Sequence, residues 1–186
     1  MFKKLKAQRK ARQKVSADSF YLYEHLIMHA RSTRFYLPPF NVKDSVEGRF
    51  ELILVHLFII DFWLSRSEKH ILLRRALQEL LITDIDRSLR EMGVGDMSVG
   101  KQMKNVGAAL LGRLQSYKMA FESDNKGERA QTRVAEIMSR NIAGLENSAA
   151  SNELASYMVW QIEKLAKQNP ENWASEVPVF LTDDNG

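Results

Sequence analysis

DIDRSLREMGVGDMSVGKQMKN, residues 84–105, reads as the end of one helix, a glycine-broken corner and the start of the next. Gly93 stands where a helix C-cap glycine usually stands. Gly95 gives the backbone freedom that a Cβ would remove. Asp96 and Ser98 are each N-cap candidates for the helix that follows. Asp84 with Arg87, and Asp86 with Arg90, lie at helical neighbour spacing with the acid first, the favourable order. Glu91 precedes the turn, and Lys101 and Lys104 follow it. The stretch supports two readings. One is a capped helical hairpin with a solvated charged face. The other is a recognition corner, where helix N-terminal amides with Lys101 and Lys104 face an anionic group. A dinucleotide loop is excluded, because the third glycine is missing and no strand precedes the turn.

Outward from the corner, the chain reads as helices. Phe20, Tyr23, Leu26 and Ile27 recur at helical spacing, giving a first helix over about 16–35 that Pro38-Pro39 closes. Ser45 is an N-cap candidate for a second helix over about 46–65. Its second half, LILVHLFIIDFWL (52–64), is apolar on nearly all sides and belongs in the middle of a bundle. It is too short to cross a membrane and contains His56 and Asp61. Gly48 suggests a close helix crossing, and Arg49 is expected to find its partner outside its own helix.

A third helix over about 67–92 shows a stripe of Ile71, Leu72, Ala76, Leu80, Thr83, Leu89 and Met92. A fourth, over about 99–122, has Met103, Val106, Leu110, Leu114, Tyr117 and Phe121 on one face. Gly107 and Gly112 interrupt it, which predicts close backbone packing there. Ser123 to Gly127 is a polar turn, and Gly144 to Ser151 a looser link. Helices over about 128–143 and 152–168 turn Val134, Ile137, Met138 and Ile142, then Leu154, Tyr157, Met158, Ile162 and Leu165, inward. Pro170 ends the last. The expected fold is all-α: a single, bundle-like domain of about six helices, with a basic N-terminal arm and a partly docked C-terminal tail. The expected division is an arm over 1–15, a helical domain over 16–180 and a mobile acidic end over 181–186. Trp173 and Val177-Pro178-Val179-Phe180 are the segment expected to dock.

Charge is unevenly placed. The 186-residue chain has a formal charge of +4, yet residues 1–14 hold seven bases and no acid, leaving −3 on the remainder. Phe2, Lys3, Lys4, Leu5, Lys6, Arg9, Lys10 and Arg12 form an arm that is either disordered or a short helix on a membrane surface. Anionic lipid or RNA is the matching partner class. The arm lacks the apolar core of a secretory signal. The chain has no cysteine, hence no disulfide and no thiolate chemistry. Four prolines and nine glycines fit helices better than a turn-rich β fold. His25 and His29 are four apart, but no HExxH pattern and no third ligand accompany them, so the expectation is no metal and surface or half-buried histidines. No nucleophile elbow, phosphate-binding loop or cofactor motif occurs. Asp84 and Asp86 diverge by about 200° on a helix and cannot act together as acid and base.

Several blocks carry a resemblance: LYEHLIMHARSTRFY (22–36), SVEGRFELILVHLF (45–58), DIDRSLREMGVGDMSVGKQMK (84–104) and the set Gly112, Arg113 and Tyr117. Weaker echoes are SRNI (139–142), ELASY (153–157) and VPVF (177–180). In these the chain resembles the ubiquinol–cytochrome c chaperone family. The resemblance implies an all-α fold and a non-enzymatic role without cofactor: assisting assembly of ubiquinol–cytochrome c reductase by holding cytochrome b or another subunit, with contact to the membrane or the ribosome. It places partner binding on Asp84, Asp86, Arg87, Arg90, Glu91, Lys101 and Lys104, with Glu47 and Arg49. Gly100 stands where the family pattern has proline after Ser-Val. The short stretch before the first matched block leads us to expect a bacterial protein, cytoplasmic and touching the inner membrane, with the mitochondrial matrix as the alternative.

Overall fold

The computed structural model describes residues 2–122, 128–146 and 148–170. Among these the secondary structure is helical: α1 (Phe2–Ala30), a 3-10 turn (Thr33–Tyr36), α2 (Val46–Leu64), a second 3-10 turn (Glu68–His70), α3 (Ile71–Glu91), α4 (Asp96–Glu122), α5 (Glu128–Asn141) and α6 (Ser148–Ala166). The expected polar turn over 123–127 and the C-terminal segment from 171 onward, including Trp173 and Val177 to Phe180, lie outside the described residues. The first helix starts far earlier than the apolar spacing predicts. Residues 2–15 continue the same helix without a break.

α2 is the axis of the bundle, packing on α1, α3, α4 and α6. Every residue from Glu51 to Asp61 is buried, as expected of a helix that is apolar all round. Ser45 caps it, its Oγ accepting from the Gly48 amide at 3.1 Å. α1 lies on α3, and α5 and α6 form an antiparallel pair closed onto α4 and α2. The α5 and α6 stripes are inward as expected, with Val134, Met138, Ile142, Leu154, Met158 and Leu165 buried.

Two further expectations fail. In α3 the buried row is Leu73, Leu77 and Leu81, with Leu89; Ile71, Leu72 and Met92 are exposed. The helix has leucines at 72, 73, 77, 80 and 81, so two adjacent rows satisfy the periodicity, and the neighbours decide which row faces in. Gly48 serves no helix crossing. A Cβ there would stand 2.1 Å from the Lys43 carbonyl oxygen, so the glycine admits the preceding loop. That loop is also held by Lys43 N donating to Ala143 O (3.1 Å) beside Gly144, whose φ of 95° suits glycine.

Candidate functional site: a latched corner beside an open groove

α3 ends in a Schellman arrangement. The Val94 amide donates to Leu89 O (3.2 Å), the Gly93 amide donates to Arg90 O (3.0 Å), and Gly93 has φ 78°. α4 then begins one turn before the sequence suggests. The Gly95 carbonyl accepts from the amides of Ser98 (2.8 Å) and Val99 (3.0 Å), so neither Asp96 nor Ser98 is the N-cap. Gly100 explains the extra turn. Proline there would remove a helical amide and exclude Val99 from helical geometry.

The charged side chains of the corner bind one another. Arg87 donates to Asp84, which also accepts from the Tyr23 hydroxyl at 3.1 Å. Burial and the Asp84 carboxylate together raise the Tyr23 pKa, keeping that hydroxyl protonated. Arg90 donates to both oxygens of Asp86 (2.8 and 3.2 Å) and through Nη1 to Asp96 Oδ1 (2.8 Å). It thereby ties the last turn of α3 to the first turn of α4. The hydrogen bond from Arg90 holds the Asp86 carboxyl below its ordinary range. Asp96 at the start of α4 also offsets the positive end of the helix dipole. Glu91, Lys101 and Lys104 are exposed and, among the described residues, take no ion-pair partner. Arg90 therefore latches the corner, with three unengaged charges at its edge.

Glu47 and Arg49 are engaged at their own end of α2. Hydrogen bonds from its own backbone amide and the Ser45 hydroxyl hold the Glu47 carboxyl below its ordinary range. Arg49 Nε donates to Asp44 Oδ1 at 2.6 Å, a partner just outside the helix, as its spacing predicts. Among the described residues no ion pair joins this end of α2 to the corner. Lys10 and Arg12 are exposed on α1. The backbone at Phe2, Lys3, Lys4, Leu5, Lys6 and Arg9 is helical, and their side chains lie outside the described set.

The two arms of the hairpin leave a groove of about 560 Å³ between α3 and α4. Ile82, Leu110 and Leu111 give it an apolar floor, with Arg75, Gln78, Glu79 and Thr83 on the α3 wall. Leu111 is 64% exposed. Gly107 also lines this groove, and a Cβ on Gly107 or Gly112 would meet nothing within 4 Å. The expected close packing at these glycines is therefore absent; Gly107 keeps a surface open.

Buried polar groups form a separate set that the residue patterns did not single out as sites. Glu51 on α2 accepts two bonds from Arg113 on α4, Nε to Oε2 at 2.9 Å and Nη2 to Oε1 at 2.8 Å. Tyr117 is fully buried close to Glu51, and burial foremost raises its pKa. Asp61 takes a forked pair from Arg74 (3.0 and 2.7 Å) and a bond from Gln78 Nε2 (3.1 Å). His56 donates through Nδ1 to Leu52 O (2.7 Å), which leaves Nε2 to accept from the Tyr157 hydroxyl (2.9 Å). His29 Nε2 lies 3.1 Å from that hydroxyl and 3.0 Å from Arg34 Nη2. His29 is buried in this cluster, correcting the expectation of a surface or half-buried ring. The available signal was a charged or titratable residue inside an all-apolar helix, which must have a partner elsewhere. Among the described residues no group of His, Asp and Glu could hold a metal ion. No helix among them is long and apolar enough to cross a membrane. The buried acids Glu51 and Asp61 join α2 to α4 and α3 through their arginines, and the α3–α4 groove leaves an apolar trough at the surface.

The comparisons with known proteins agree on one relationship. No curated protein matches the chain. The solved structure of the Cbp3 homolog from Brucella abortus is similar, with a TM-score of 0.74 at 28% identity over 93% of each chain. The family described as ubiquinol-cytochrome C chaperone matches residues 39–180, which take in α2, the latched corner and the groove. The chain belongs to the ubiquinol-cytochrome C chaperone family.

Proposed function

We propose that this protein is a non-enzymatic assembly chaperone that holds an apolar segment of newly made cytochrome b, or of another reductase subunit, at a membrane surface. The carrying observation is the α3–α4 groove, whose apolar floor of Ile82, Leu110 and Leu111 is left open at Gly107. An apolar helix face laid in such a trough is an established mode of segment recognition. The corner closes the hairpin that forms the trough. Asp84, Asp86, Arg87 and Arg90 hold its shape, and Glu91, Lys101 and Lys104 read charges flanking the client segment. Glu47 and Arg49 extend the partner surface at the N-terminal end of α2. The arm over 1–15 brings the helical domain to anionic lipid on the cytoplasmic side of a bacterial inner membrane. A ribosome contact, or a mitochondrial matrix setting, is the alternative for the same bases.

Complementation of a strain lacking the gene tests this reading. Gly107→Leu should lower assembled reductase while leaving other respiratory complexes intact, because the side chain enters the groove. Gly112→Leu, on the same helix and outside the groove lining, should restore wild-type levels. Normal reductase in the deletion strain, or equal behaviour of the two variants, defeats the proposal.

A further inference from the structure

The exposed face of α1 lies apart from the α3–α4 groove, and its C-terminal part borders the corner residues Asp84, Arg87 and Glu91. Residues spaced three and four apart from Lys10 run through Lys14, Ala17, Tyr21, Glu24 and Met28 to Arg31, and all of them are exposed. Phe20, one turn before Glu24, stands at the edge of this face and lines one surface depression with Glu24, Met28 and Arg31. Phe20 is 53% exposed and Met28 63% exposed, an unusual outlay of large apolar surface on a helix whose opposite side is fully buried at Leu22 and Leu26. The order along the face is cationic, then aromatic and apolar, then cationic again. Lys3 and Lys6 continue the same spacing toward the N-terminus. From Lys10 to Arg31 the face is roughly 30 Å long at about 1.5 Å per residue. Glu24 stands on it between Tyr21 and Met28, and the partly buried Asp18 flanks it beside Lys14.

We propose that α1 lies flat on an anionic bilayer along this whole face. In this arrangement Phe20, Tyr21 and Met28 enter the headgroup–acyl boundary, and Lys10, Lys14 and Arg31 engage lipid phosphates. Charge complementarity selects the partner. The first fourteen residues carry seven bases and no acid on a body of net −3, and they continue without a helical break into the aromatic segment. A rigid helix that brings its basic end to anionic lipid brings Phe20 and Met28 there too. Side chains that combine an apolar body with a polar or cationic tip favour this interface. The inference rests on the membrane part of the proposed function. It adds that the contact extends to the middle of α1 and is partly apolar.

The test is co-sedimentation of the full chain with phosphatidylcholine vesicles, with and without phosphatidylglycerol. Circular dichroism confirms that each variant is folded. Wild type should bind only the anionic vesicles. Replacing Lys10 and Lys14 by Gln should weaken binding roughly 30-fold, at about 1 kcal/mol per cation. Replacing Phe20 and Met28 by Ser should weaken it roughly tenfold through lost apolar burial. Binding unchanged by the Phe20 and Met28 substitutions but lost when Phe2 and Leu5 are changed to Ser overturns this inference and leaves an arm-only membrane contact. Failure to bind anionic vesicles, with salt-sensitive binding to RNA instead, overturns both. A dimer in solution that dissociates on replacing Phe20 and Met28 would assign the face to a second copy of the chain and overturn it as well.

Discussion

His56 occupies the middle of the most apolar helix, donates to its own backbone and accepts from Tyr157 on α6. Burial, then the neighbouring His29 and Arg34, push its pKa from 6.5 to about 3. Below pH 6.5 the unfolded chain therefore binds a proton that the folded chain refuses. The stabilisation is complete above that pH and is lost as pH falls from 6.5 toward 3. Urea unfolding at pH 5 should show about 2 kcal/mol less stability than at pH 7 from this group. His56→Gln should shrink that difference. The Glu51–Arg113 pair acts at the same scale. Arg113→Ala strands a buried carboxylate and should cost on the order of 3 kcal/mol in chemical denaturation. Replacing both residues by Met and Leu should recover most of the loss. The sequence exposed the anomaly, polar groups in an apolar helix, but not the solution. Partners 62 and 101 residues away in the chain are set by packing and leave no local trace.

The helices themselves differ in how much their sequences commit. The α3 cap was legible, because Gly93 supplies a positive φ that other residues adopt at a cost. The N-terminus of α4 was not, because Asp96 and Ser98 both fit as caps, and the earlier start rests on the Gly95 carbonyl bonds and on the Arg90–Asp96 contact across the corner. Gly100 lies inside that first stretch, and a Cβ there meets nothing. Gly100→Ala should stabilise the protein by about 0.5–1 kcal/mol. Gly100→Pro should shorten α4 by about a turn, free Arg90 from Asp96 and lower helical content by circular dichroism. Gly48→Ala should do the opposite of Gly100→Ala. Its Cβ would collide with the Lys43 backbone, and a lower urea midpoint is expected. In α3, two leucine rows fit a single period. The choice of Leu73, Leu77 and Leu81 came from what α1 and α2 present to it.

At the scale of the molecule, a central helix wrapped by the others leaves the outer hairpin with less to cover it. The α3–α4 groove and the free face of α1 are the result. If the groove serves a client, a photo-crosslinking residue at Leu111 should capture a reductase subunit in membranes solubilised in mild detergent. One at Trp160, exposed on α6, should not. Capture at both positions alike would indicate non-specific adhesion. The amino-acid pattern alone determined the helical class, the number of helices, the approximate span of all but the first, the central place of α2 and the ion pairs within α3. All of these follow from spacing along one helix, where partners are three or four residues apart. The tertiary structure alone decided which leucine row of α3 is buried, which distant side chains satisfy His56 and Glu51, and that Gly107 opens a groove instead of closing a contact. Those outcomes depend on the distances between helix surfaces, which are fixed only when all the helices compete for the same core volume.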